Sequence, residues 1–398
     1  RTVTIQPAPV SSGDILITPS EKIGYLDPAT NKVRNAVSVF VNFNGETKHL
    51  TNGSGYTLSY HDYPSGMVSV KVTLTGAFDG FRYSEKFYPT EPAFVWGQDN
   101  FQFGNGGDST GLIYSVDETV FNAMAEKFHL SEAEKTAVRN QITADNPGGM
   151  VGRCNGMSTA CILAKAGLLK FSDFTENGIS LSDIANQNDD GRTMVSVLNF
   201  LQEMWASVDY RKIECDARNL VTQNPDKVKQ MQGNYIKKIV SELENGDSML
   251  KLLYMTSDSQ SHAVTAYAVE PYQYHSDKTG RDYNYRVLLC NPNTVLADNA
   301  LYSEACIYVN KPASGYESEY CYELNDGKYW ASGDTNYGGI YGAFKLCSLT
   351  DEYNVLNTRY SKCFVEQQED DSTVYDYRIV VPSGTKRLIM GDANLDGY

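Results

Sequence analysis

In Gly148-Gly149-Met150-Val151-Gly152-Arg153-Cys154-Asn155-Gly156-Met157-Ser158-Thr159-Ala160-Cys161-Ile162-Leu163-Ala164-Lys165-Ala166-Gly167, a glycine-rich approach runs into small residues led by a cysteine. The pattern predicts a helix that starts at Cys154 and closes on Gly167, the residue type that most readily takes the left-handed turn after a helix end. A thiolate on the first turn faces unpaired backbone N–H groups and the positive end of the helix dipole. Both lower a thiol's pKa from its ordinary value of about 8.5. Gly152 and Gly156, with Ser158 and Ala160 behind, are small enough to let a substrate backbone and a facing sheet come close. A buried cysteine at a helix start, with no chemistry, fits the same run, so the flanking sequence has to decide.

On the N-terminal side of this stretch, Val116, Val120, Met124 and Phe128 form one helical stripe. Ser115 and Glu118 read as its capping box, and Ser131 and Glu134 as that of a second short helix. On the C-terminal side, residues 193–205 carry Met194, Val197, Leu198, Leu201 and Trp205 at helical spacing. Tyr235, Ile236, Ile239, Val240 and Leu243 make another stripe, stopped by Asn245-Gly246. Residues 249–255, 262–269 and 285–290 are then apolar, aromatic and β-branched, as strands are, with 272–283 read as a polar loop. Helices followed by antiparallel strands predict an α+β domain over 93–310.

Near the N-terminus the period is two. Val37, Val39, Val41 and Phe43 alternate with polar residues and end in Asn44-Gly45, a type I′ hairpin signal. Val68, Val70, Val72 and Leu74 repeat the alternation, so 1–92 reads as a β-sandwich-like module. Its histidines, His49 and His61, have no cysteine or patterned carboxylates beside them, which suits packing or ligand binding. Residues 311–388 are rich in Tyr and Gly and read as β-rich, either a separate region or part of the preceding domain.

Bulk properties narrow the classes. At 398 residues the chain is long enough for two or three cores. Its net charge of −15 argues against nucleic acid and anionic membranes as partners, since both need clustered Lys and Arg. No apolar run approaches the ~20 residues that span a bilayer. The chain opens at Arg1, as expected of a sequence that begins inside a longer precursor, and export is an inference from that start. The eight cysteines contain no Cys-x-x-Cys pair, which argues against a zinc ribbon or thioredoxin-like site, and most are expected to be small buried hydrophobes.

His262 stands in Ser261-His262-Ala263-Val264, at the start of a strand, where its ring can point toward a helix. A neutral imidazole there can take a thiol proton and later return it to a leaving amine. Asn291, in Leu289-Cys290-Asn291-Pro292-Asn293, ends the next strand, and an antiparallel hairpin can bring its amide oxygen to the ring. Asn293 is the second choice. His275 in the polar loop reads as solvated, and His129 at a helix end as structural.

Taken together, Gly152-Arg153-Cys154-Asn155-Gly156-Met157-Ser158 and the His262 and Asn291 strands resemble the papain-like cysteine peptidases, most closely their divergent bacterial branch. The resemblance covers roughly residues 95–310, with a long helical insertion between cysteine and histidine. It implies that Cys154 attacks a peptide carbonyl, His262 serves as general base and acid, and Asn291 holds the ring, with no cofactor needed. The family usually places a Gln six residues before the cysteine to help form the oxyanion hole. Gly148 stands there instead, so Asn146 is expected as the side-chain donor, with Gln141 also near and the Cys154 N–H as the other donor. A second likeness lies at the end: Gly391-Asp392-Ala393-Asn394-Leu395-Asp396-Gly397-Tyr398 resembles the start of a dockerin calcium loop over 389–398. Asp392, Asn394 and Asp396 fall at positions one, three and five of that loop. The resemblances imply a secreted, extracellular or cell-surface cellulosome peptidase acting on proteins or peptides, open to protein inhibitors. A complete dockerin would use Ca²⁺ and bind a scaffold cohesin. Two alternatives are a catalytically degenerate papain-like adhesion or recognition protein and a transglutaminase-like acyl transferase.

Overall fold

The computed structural model describes residues 6–27, 29–105, 116–145, 152–175, 177–184, 194–204, 236–237, 239–245, 249–255, 261–293, 305–310, 319–323, 329–331, 339–349, 360–367 and 373–382. They fall into two compact units, one within Arg1–Gln98 and one built from Asp99–Val295 and Ser303–Tyr398. Both helices and mainly antiparallel sheets are present, with more strand than helix, so the class is α+β.

The first unit holds nine strands among its described residues: β1 (Ala8–Pro9), β2 (Ile15–Asp27), β3 (Lys32–Phe43), β4 (Glu46–Leu50), β5 (Tyr56–Asp62), β6 (Val68–Leu74), β7 (Phe78–Asp79), β8 (Phe81–Tyr83) and β9 (Phe94–Trp96). One sheet has the order β4-β3-β2-β9 and another β5-β6-β8. The alternation read from the sequence sets the buried faces: Val37, Val39 and Val41 from β3 meet Val70, Val72 and Leu74 from β6 in one core. The β3–β4 hairpin turns at Asn44 (φ 54°) and Gly45 (φ 83°), the two positive φ angles a type I′ turn demands. The expected boundary at 92 moves, because the buried run Phe94-Val95-Trp96 pairs in parallel with β2 and belongs to this unit.

In the second unit the helices are α1 (Glu118–Lys127), α2 (Glu132–Asp145), α3 (Cys154–Lys165) and α4 (Met194–Glu203). Helix α1 is capped differently from expectation. Asp117, one residue before the helix, accepts from Thr119 N and Val120 N, so the cap lies two residues past Ser115, which is outside the described residues. The second capping box is present: Ser131 N donates to Glu134 Oε2 at 2.7 Å, and Glu134 N to Ser131 Oγ at 3.3 Å. Gly167 closes α3 at φ 70°, and its N–H donates to Ala164 O. His129 follows α1 at φ 50°, where its N–H helps end the helix.

The strands of this unit are β10 (Leu250–Met255), β11 (Ser261–Ser276), β12 (Arg281–Cys290), β13 (Cys306–Asn310), β14 (Glu319–Glu323), β15 (Tyr329–Ala331), β16 (Gly339–Leu349), β17 (Tyr360–Gln367) and β18 (Thr373–Pro382). They form one sheet in the order β15-β14-β13-β12-β11-β10-β16-β18-β17, antiparallel except for β16 with β18. The C-terminal strands therefore extend the same sheet that carries the His262 strand. Residues 272–283, expected as a polar loop, instead prolong the β11–β12 hairpin to a turn at Gly280 (φ 65°). What favours strand there is side-chain pairing across the ladder. Tyr274 stacks on Tyr308 of β13 at 3.6 Å between ring centroids, and Arg286 of β12 donates to Glu270 of β11 at 2.6 and 2.8 Å. Ile236, Ile239, Val240 and Leu243, from helical residues 236–237 and 239–244, pack on Leu252, Val264, Ala266, Val287 and Leu289 of the sheet.

Candidate active site

Cys154 is the first residue of α3 and Arg153 is its N-cap, with no side chain capping the end. Among the N–H groups of the first turn, that of Asn155 favours the thiolate, while that of Gly156 is taken by the Gln202 side chain. Helix α3 meets the sheet at β11, where Thr265 Oγ1 donates to Ser158 O at 3.4 Å. It meets α4 through buried polar contacts. Asn155 Nδ2 donates to Gln202 O at 2.9 Å, Gln202 Oε1 accepts from Gly156 N at 3.1 Å, and Arg153 Nε donates to Asn199 Oδ1. A Cβ on Gly156 would lie 2.2 Å from the Leu198 carbonyl oxygen, so this glycine sets the approach of α4. A Cβ on Gly152 would lie 2.8 Å from the Asn105 amide. The close approaches that these glycines permit are therefore to α4 and to Asn105.

Three expected residues converge. His262 comes from the start of β11 and Asn291 from just past the end of β12, brought side by side by the antiparallel pairing of these strands. His262 Nε2 and Asn291 Oδ1 are 3.0 Å apart, and the ring and the Cys154 thiol are near enough to shift each other's protonation. Cys154 and His262 are each 8% exposed and Asn291 is 9%. The backbone N–H groups of Ala263 and Asn155 also favour the thiolate.

Burial alone would push the thiol's pKa up, but the charge and hydrogen bond of His262 and these two N–H donors outweigh it, and the thiol is held below its ordinary value. Burial likewise pushes the imidazole down, while the facing thiolate and the bonds to Cys154 and Asn291 outweigh that and raise it. Opposite shifts in adjacent groups favour a thiolate–imidazolium pair, a nucleophile with its own proton donor.

The expectations for His275 and for the cysteines whose burial is described hold. His275 is exposed and lies 2.7 Å from Asp282. Cys161, Cys290 and Cys306 are buried free thiols, and a bond with Cys161 together with burial pushes Cys290 well above the ordinary thiol range. Gln141 lies on α2. Asn146, Gly148, Asp392, Asn394 and Asp396 lie outside the described residues.

Sequence reasoning missed Asn105 and the polar face of α4. Asn105 Oδ1 accepts from Arg153 N, its Nδ2 donates to Asn293 Oδ1 at 2.8 Å, and its own N–H donates to Pro292 O at 2.8 Å. In Gly104-Asn105-Gly106-Gly107 an asparagine looks like an ordinary turn residue, and no local signal marks its partners 48 and 188 positions away. Asn199 and Gln202 look like a solvated helix face, yet they are 0% and 3% exposed. Their presence among apolar neighbours on a short helix was the available clue. No protein-family model matches the chain, and neither the curated proteins nor the solved structures yield a significant similarity.

Proposed function

We propose that this chain is a papain-like cysteine peptidase that hydrolyses peptide bonds through Cys154, His262 and Asn291, and that the first unit is an accessory β-sandwich. The observation that carries the reading is the convergence of Cys154, His262 and Asn291, in which thiol and ring shift each other's protonation and the ring lies 3.0 Å from the Asn291 amide oxygen. The Cys154 thiolate adds to the scissile carbonyl, and the Cys154 N–H is the backbone donor to the oxygen that gains charge. Collapse of the tetrahedral adduct breaks the C–N bond, and His262 gives its proton to the departing amine. Water, deprotonated by His262, then cleaves the thioester, and the thiol–imidazole pair is restored. Asn291 accepts from the ring and holds its plane through both steps. The reading extends to a secreted, cellulosome-associated protein whose Asp392, Asn394 and Asp396 would ligate Ca²⁺ in a complete dockerin bound to a cohesin.

Iodoacetamide should alkylate Cys154 at pH 6 far faster than Cys161 or Cys290, and His262→Ala should slow that reaction, with sites assigned by peptide mass spectrometry. Casein should be cleaved by the native chain and not by Cys154→Ala. Equal alkylation of the three thiols would refute the activated nucleophile. Amine incorporation into casein without cleavage would replace hydrolysis by acyl transfer.

A further inference from the structure

Asn105 joins the two halves of the proposed site. The residue is 8% exposed. A backbone N–H can only donate, so the bond from Arg153 N requires that Oδ1 face the start of α3. That leaves Nδ2 to reach Asn293 Oδ1 at 2.8 Å, while Asn105 N holds Pro292 O at 2.8 Å. These two bonds fix the Asn291-Pro292-Asn293 turn. Within the turn, Asn293 N donates to Asn291 Oδ1 at 2.9 Å.

The same logic orients Asn291. Since Asn293 N–H must find an acceptor, the amide oxygen of Asn291 is the atom turned toward it, and that oxygen is the one 3.0 Å from His262 Nε2. An oxygen accepts, so the ring proton sits on Nε2. In the neutral ring Nδ1 then keeps its lone pair for the thiol proton. The thread therefore runs from the peptide preceding Cys154 through Asn105, Asn293 and Asn291 to the base. Gly152 supplies the space it needs, because a side chain there would strike the Asn105 amide.

We infer that Asn105 is a positioning residue that locks the nucleophile's helix start to the turn carrying Asn291, and so sets the tautomer and placement of His262. The inference rests on the Cys154–His262–Asn291 reading above. Asn105→Asp has the same size and still accepts from Arg153 N, but cannot donate to Asn293 Oδ1. Asn105→Ala removes both bonds.

The test is alkylation of Cys154 by iodoacetamide across pH 5–9 in the full chain, with and without Asn291→Ala. Both Asn105 variants should label about fivefold more slowly than the native chain at pH 6, the factor for one hydrogen bond between neutral groups. Their profiles should move to higher pH. In the Asn291→Ala background, Asn105→Asp should add no further loss, because the two act in series. Profiles that superimpose on the native one would overturn the inference. So would an equal loss with and without Asn291, or labelling of Cys161 and Cys290 in both variants, which marks general loosening. A native chain whose Cys154 labels no faster than Cys290 would instead sink the underlying reading, whatever Asn105 does.

Discussion

The Cys154 thiol and the His262 ring shift each other's protonation in opposite directions, and this has a signature in pH. The thiol is held below its ordinary value and the imidazolium above its own, and both shifts favour the charged pair. Because the groups are in contact, the observed midpoints belong to the pair. Alkylation needs only the thiolate. Its rate should therefore rise once, at a midpoint below that of an ordinary cysteine, and then stay level. Peptide hydrolysis also needs the ring proton for the leaving amine, so it should fall again as pH passes the raised imidazolium value. Parallel profiles of alkylation and casein turnover check this, and hydrolysis that stays level at alkaline pH would remove His262 from proton transfer. In the His262→Ala protein the alkylation midpoint should move up toward that of an unassisted thiol, since the largest influence lowering it is gone.

Among elements, the contact of α3 with α4 is the most sharply constrained. Gly156→Ala would drive a methyl against the Leu198 carbonyl, and backbone cannot swing aside as a side chain tip can. The helices must part and break the Gly156–Gln202 and Asn155–Gln202 bonds. A loss of about 1–3 kcal/mol in urea-unfolding stability is expected for such overpacking. A stability equal to that of the native chain would mean that α4 yields freely. The first-turn cysteine, the capped start of α2, the Gly167 stop and the β3–β4 hairpin were legible in the sequence, since each rests on neighbours a few residues apart. The two strand-end residues His262 and Asn291 were legible through their resemblance to a known pattern. What was not legible depends on partners far along the chain. Tyr272 and Tyr274 look like loop until Tyr308 is there to stack on. Asn199, Gln202 and Asn105 look exposed until α3 and the 291–293 turn supply their bonds. The cap at Asp117 rather than Ser115 is a smaller miss, between two residue types that cap equally well.

At the scale of the whole molecule, the sheet of the second unit ties the proposed site to the far C-terminus. β10 lies between β11, which carries His262, and β16, with Leu250 opposite Lys345 and Tyr254 opposite both His262 and Ile340. A chain ended after Ala331 keeps Cys154, His262 and Asn291 but loses β16, β17 and β18. β10 then becomes an open edge, with a row of unpaired backbone groups beside the base strand. Fast alkylation of Cys154 at pH 6 should disappear in that shortened protein, and its survival would show that the first six strands of the sheet support the thiolate without their neighbours. The order of strands also bears on synthesis. β10 acquires its second neighbour only once residues 339–349 have been made, so the shortened protein also stands for a stage every growing chain passes through, and its alkylation rate reads how reactive Cys154 is before synthesis ends.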